Sequence, residues 1–152
     1  MTASDPNPHP DPTVEDESQG ESARGLRAVS HALQRWADIL SAGRIDDLLA
    51  LYAPDAILVP TLSDAIRDRE DGRRRYFENF LADGTPQCTI DHQSPRISGK
   101  LSTVVIGGIY TFTFQRDGRR DPVPARFLFT YEQIQDRWLI TGHHSSRLTR
   151  AD

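Results

Sequence analysis

The chain changes its hydrophobic period once, and that change restricts the fold more than any other feature. Up to Leu81 apolar residues recur every three or four positions. From Gln87 onward they alternate or run together in β-branched and aromatic blocks. A period near 3.6 buries one face of a helix and a period of two buries one face of a strand. Helices followed by strands joined through short turns argue an α+β domain, with the helices packed on one face of a curved antiparallel sheet. At 152 residues the chain has length for one such domain.

In the helical half, Leu26, Val29, Leu33, Trp36 and Leu40 form one apolar stripe. The stripe predicts a helix from Ser22, with Ser18 and Glu21 as a capping box and Gly43 as its stop. Ile45, Leu48, Leu49 and Tyr52 share a face of a second, shorter helix that Pro54 ends. A short strand over 56–60 and a charged connection over 61–71 follow. A third helix over 73–81 should bury Tyr76, Phe77, Phe80 and Leu81. The β half reads as strands over 87–97, 101–114, 122–133 and 137–148. Gly107 and Gly108 mark a bulge or sharp bend. Asp117-Gly118 is a hairpin signal, and Asp136 sits in the last turn.

Of the 22 acidic residues, Asp5, Asp11, Glu15, Asp16, Glu17 and Glu21 precede Arg24, which leaves 16 against 18 basic ones in the rest. Residues 1–21, with Pro6, Pro8, Pro10 and Pro12, are expected to be a disordered acidic tail, and residues 22–150 the folded domain. The near-neutral body does not call for nucleic acid. The arginines between Arg67 and Arg75 are interleaved with Asp68, Glu70 and Asp71, as on a solvated helix entrance. The lone Cys88 excludes an internal disulfide and suits a reducing compartment. With no membrane-length apolar run and no signal-peptide pattern, the expected location is the cytoplasm.

The last strand carries the chemistry. It opens apolar at Trp138, Leu139 and Ile140 and turns polar at Gly142, His143, His144, Ser145 and Ser146. Strict alternation puts Trp138, Ile140, Gly142, His144 and Ser146 on one face, and Leu139, Thr141, His143, Ser145 and Arg147 on the other. The two histidines therefore serve different surfaces and cannot share a metal ion, so no metal is expected. A histidine in a pocket has an ordinary pKa of about 6.5 and could act as a general base. The bland alternative is a histidine bonded to its neighbours without turnover. No nucleophile elbow accompanies Ser145 or Ser146, which excludes a serine triad. No dinucleotide fingerprint is present, and no cofactor is expected.

Four stretches together carry a family resemblance. They are Gly43 to Pro54 with Tyr52-Ala53-Pro54-Asp55, then Tyr76-Phe77-Glu78-Asn79-Phe80-Leu81, then Gly108-Ile109-Tyr110-Thr111-Phe112 leading to Ala125-Arg126-Phe127, and last Trp138 through Ser146. In order and spacing they resemble the nuclear transport factor 2-like, or cystatin-like, cone fold. More narrowly, they resemble the association (hub) domain of calcium/calmodulin-dependent protein kinase II and its free-standing bacterial and SnoaL-like relatives. The resemblance implies a cone enclosing a pocket, self-association as a homodimer or a larger ring, and a small-molecule ligand, here with no kinase domain attached. Under it the pocket would be lined by Trp36, Leu48, Tyr52, Tyr76, Arg126, Phe129, His143 and Ser145, with Arg126 alternatively facing a subunit contact. Several arginines that line the animal hub's pocket fall here on positions such as Phe129 and Ser145. The rival reading is an enzyme of the SnoaL-like or ketosteroid-isomerase-like type with His143 as its base.

Overall fold

The computed structural model describes residues 12–149 apart from residue 62. Its elements run α1 (Pro12–Ser41), α2 (Ile45–Leu49), β1 (Tyr52–Val59), α3 (Glu70–Leu81), β2 (Gln87–Ser98), a 3-10 turn (Gly99–Leu101), β3 (Thr103–Arg116), β4 (Arg119–Ile134) and β5 (Arg137–Arg147). The strands make one sheet in the order β1-β5-β4-β3-β2. β2 to β5 form an antiparallel meander, and β1 pairs with β5 in parallel. The α+β architecture is as the period change predicted.

α1 begins at Pro12, well ahead of the expected Ser22, and so takes in residues 12–21 of the expected tail. For residues 1–11 the expectation of a disordered tail lies outside the described residues. Proline is tolerated in the first helical turn, where its missing N–H has no partner to lose. The helix was invisible there because Glu17 to Gln19 are exposed and show no apolar period. Ser18 and Glu21 are consequently interior to the helix rather than a cap. At the other end Gly43 has φ +67°, its N–H bonds Leu40 O at 2.9 Å, and Arg44 N–H reaches Ile39 O at 3.2 Å. This left-handed cap is the expected stop.

Pro54, expected to end the second helix, lies inside β1. It is tolerated because β1 is an edge strand and its register with β5 breaks between Tyr52 and Ile57. The expected irregularity at Gly107–Gly108 takes the form of a close approach. Both glycines stay in the ladder, while the bulge sits opposite, at Asp91 of β2. A Cβ on Gly108 would lie 2.0 Å from His92 O and 2.6 Å from Phe127 Cζ, so only glycine fits. Asp117 (φ 52°) and Gly118 (φ 72°) form the expected hairpin, and Gln135 and Asp136, both at positive φ, turn the last one.

A second bulge decides the site. Tyr131 pairs with Ile140 but Thr130 pairs with Gly142, which makes Thr141 an extra residue in β5. It reverses the alternation. Trp138 and Ile140 join His143, Ser145 and Arg147 on the inner face, while Leu139, Gly142, His144 and Ser146 face out. The strict parity expected from the sequence holds only after Gly142. The core lies between α1 and the inner face, where Val29, Leu33, Trp36, Ala37 and Leu40 meet Tyr110, Phe127, Phe129, Tyr131 and Ile140.

Candidate functional site

The helices leave the inner face uncovered toward one end, and a cavity of about 490 Å³ opens there. Its deep wall is Trp36 of α1, Tyr110 of β3 and His143 of β5. Phe77, Phe80, Phe112 and Phe114 form its sides. Arg67, Asp83, Arg116, Asp121 and Arg147 reach it with charged groups. Arg116 and Asp121 pair at 2.9 Å across the hairpin. Arg67 keeps a buried Nε without a partner among the described residues.

His143 is the hub of the deep wall. Its ring stacks on Phe129 with centroids 3.9 Å apart, and the edge of Trp36 packs at 5.3 Å. Trp36 Nε1–H donates to Tyr52 Oη at 3.0 Å, Tyr52 Oη lies 2.9 Å from His143 Nδ1, and Tyr110 Oη lies 3.3 Å from His143 Nε2. The residue is 4% exposed. Burial, with the neighbouring His144 as a smaller influence, lowers its pKa to about 3. Burial likewise raises Tyr52 and Tyr110 well above the ordinary phenol range. Both ring nitrogens of His143 are thus engaged by tyrosine hydroxyls.

Among the expected site residues, Trp36, Tyr76, His143 and Ser145 line the cavity. Tyr52 stands one hydrogen bond behind it and Phe129 lies against the His143 ring. Two expectations are corrected. Leu48 is fully buried between the helices, because the short α2 aims it at the core rather than the cavity. Arg126 is exposed on the outer face, paired across the ladder with Ile109 and Ser146, because it is one step out of phase with Phe127. Sequence reasoning missed Tyr110, Arg67, Arg116 and Arg147. Tyr110 was findable: it alternates with Phe112 and Phe114 on one face of β3.

The arginine cluster at α3 is only partly a solvated surface. Arg74 and Arg75 make exposed pairs with Asp46 and Asp71. Arg73 is 1% exposed. Its guanidinium donates to Ala56 O at 2.7 Å, Ala53 O at 3.1 Å and Pro54 O at 3.2 Å, and packs over the Tyr52 ring. It satisfies the carbonyls that the irregular start of β1 leaves unpaired and so holds Tyr52 in place. Among the described residues no group of three His, Cys, Asp or Glu side chains is placed to hold a metal ion. No helix among them is long and apolar enough to cross a membrane.

Comparison with known proteins places this geometry. The family model for the calcium/calmodulin dependent protein kinase II association domain matches residues 25–149. A solved protein from Xanthomonas campestris, assigned to that association domain, is 34% identical; the match covers 82% of this chain and 89% of that one, with a TM-score of 0.75. A nuclear transport factor 2-like protein with a cystatin-like fold from Novosphingobium aromaticivorans is 11% identical over 94% of each chain, with a TM-score of 0.77. A Streptomyces avermitilis protein assigned as a dehydratase of the nuclear transport factor 2-like family is 12% identical over 84% of this chain and 99% of that one, with a TM-score of 0.75. The last two likenesses establish the cone fold alone. No curated protein matches the chain.

Proposed function

The chain belongs to the calcium/calmodulin-dependent protein kinase II association-domain family, and from that membership we propose that it is a homodimeric binding protein that holds a small molecule in its cone. The observation that carries this reading is the cavity itself: about 490 Å³, with aromatic rings on one part of its wall and hydroxyl, amide, imidazole and charged groups on the rest. A concave site of this size that brings polar groups together beside aromatic walls is the usual place for a small molecule. The hydroxyl and guanidinium groups orient the ligand, and Phe77, Phe80 and Phe112 supply its apolar contact.

The dimer reading is supported by the opposite face. Val59, His144 and Leu128 lie side by side across β1, β5 and β4, and Ile57 lies beside Gly142 in the adjoining register. Ile57 is 50% exposed and Leu128 46%. Exposed apolar side chains clustered on a sheet face mark an interface, and a two-fold contact of the same patch with itself is the simplest closed assembly.

Two measurements test the proposal. Light scattering on the full chain at micromolar concentration is expected to give a dimer mass; a monomer mass would end the assembly reading. Amide resonances recorded against a library of aromatic fragments are expected to shift around the cavity. Shifts spread over the surface, or none, would end the binding reading.

A further inference from the structure

The row of side chains behind the cavity has a direction, and one residue sets it. The Trp36 indole has a hydrogen to give and nothing to accept with. Its bond to Tyr52 Oη at 3.0 Å therefore uses the phenol oxygen as acceptor. The Tyr52 hydrogen then needs an acceptor of its own, and the one within reach is His143 Nδ1 at 2.9 Å. A nitrogen that accepts carries no proton, so the proton of the neutral imidazole sits on Nε2. Nε2–H faces Tyr110 Oη at 3.3 Å and donates to it. The Tyr110 hydrogen is thereby released from the histidine and turned toward the cavity that Tyr110 lines. The opposite polarity would give Tyr52 two incoming hydrogens and strand its own in the core, a costly arrangement for a buried hydroxyl.

We propose that Trp36, Tyr52, His143 and Tyr110 form a one-way hydrogen-bond relay that locks His143 in its Nε2–H tautomer and makes the Tyr110 hydroxyl a fixed donor, so that the cavity selects a ligand whose buried end is a hydrogen-bond acceptor. A second feature points the same way. The Arg67 side chain, whose buried Nε has no partner among the described residues, also reaches the cavity. The carboxylates on the lining, Asp83 and Asp121, belong to exposed or half-exposed residues, and Asp121 is already paired with Arg116. The Tyr110 hydroxyl and the arginine side chains on the lining are therefore complemented by a carbonyl or carboxylate oxygen where an alcohol or amine hydrogen does not complement them. In this arrangement Tyr110 is the specificity-determining residue, while Tyr52, which does not line the cavity, is a positioning residue acting through His143. The proposal rests on the reading that a small molecule occupies the cone.

The test has two arms that fail separately. In the full chain labelled with [15N]histidine, long-range proton–nitrogen correlations should show His143 Nε2 protonated and Nδ1 bare from pH 5 to 8, with assignment by its loss in His143→Gln. A protonated Nδ1, or a His143 that titrates near pH 6.5, overturns the relay. The isosteric Tyr52→Phe should release the lock and give mixed tautomers; an unchanged tautomer in that variant also overturns it. The second arm uses acetophenone and its isostere α-methylstyrene, which differ in having an acceptor oxygen or a methylene. Acetophenone should bind at least about tenfold more tightly. The preference should vanish in Tyr110→Phe and weaken in Tyr52→Phe. Equal binding of the two probes overturns the selectivity while leaving the pocket intact. If neither probe shifts a cavity resonance, the pocket reading falls and the selectivity with it, and the tautomer spectrum still decides the relay.

Discussion

Phe129 and Leu128 are neighbours in β4, as His143 and His144 are neighbours in β5, and each pair is divided between two surfaces. Phe129 and His143 are stacked ring on ring inside the cone, sealed by Trp36. Leu128 and His144 pair across the ladder on the outer face, in the open. The inner pair is held by packing and by hydrogen bonds that leave neither ring nitrogen free. The outer pair makes no side-chain hydrogen bond or ion pair among the described residues and stands beside exposed Ile57 and Val59. Chemically similar residues one position apart thus face opposite surfaces, the packed interior on one side and the exposed face of the sheet on the other. Pleat and bulge, rather than residue type, assign them.

Deleting Thr141 attacks that division most directly. Without the extra residue, keeping His143 inside would turn Ile140 and Trp138 outward, and keeping those two inside would expel His143. The expected loss is at least about 3–5 kcal/mol, the scale of emptying a large core side chain. Urea denaturation should show an unfolded or molten chain; a cooperative transition within 1 kcal/mol of the parent, a threshold about the size of one ordinary mutation, would mean that the bulge does not decide the faces.

Truncating one member of the β4 pair at a time separates the surfaces. Phe129→Ala removes a fully buried ring that touches His143, Trp36 and Phe127, and should cost about 3–5 kcal/mol. Leu128→Ala should cost under about 1 kcal/mol in chain stability and instead weaken the dimer, read as a shift toward monomer mass on dilution. Comparable stability losses for the two would erase the distinction between core and interface.

Acid sharpens the histidine comparison. His143 holds its proton off until about pH 3 in the folded chain, whereas in the unfolded chain it titrates near the ordinary 6.5. Between those values the unfolded state binds the extra proton, so stability rises with pH. The contribution is complete above about 6.5, falls as pH drops, and levels off below about 3. The slope is up to about 1.4 kcal/mol per pH unit, or roughly 2 kcal/mol between pH 6.5 and 5. His143→Gln should lose this component from the stability–pH curve. A variant curve parallel to that of the parent would show that His143 is protonated while folded.

The smallest effect belongs to His144→Ala. Its side chain is exposed, and chain stability should change by no more than about 0.5 kcal/mol, with the response appearing in dimer affinity. Loss of acetophenone binding with an intact dimer would instead place His144 on the ligand side and reverse the facing.

Residue order alone determined the architecture, because period and turn chemistry are local. The stripe from Leu26 to Leu40, the glycine stop at Gly43 and the Asp117-Gly118 turn each specify their own backbone within a few residues. The helix stripe carried Trp36 to the candidate site the same way, and the family motifs carried Tyr76, His143 and Ser145. Long-range packing decided the rest. Thr141 becomes a bulge only because β4 and β5 must both present aromatic residues to α1, and nothing in Leu-Ile-Thr-Gly signals it. Arg73 reads like its exposed neighbours until α3 sets it against the carbonyls of β1. Tyr52, Tyr110 and Trp36 lie far apart in sequence, and the hydrogen-bond row that joins them through His143 exists only when helix, edge strand and meander close on one another. A hydrogen bond depends on where two atoms finish in space, and for partners that distant only the tertiary fold decides it.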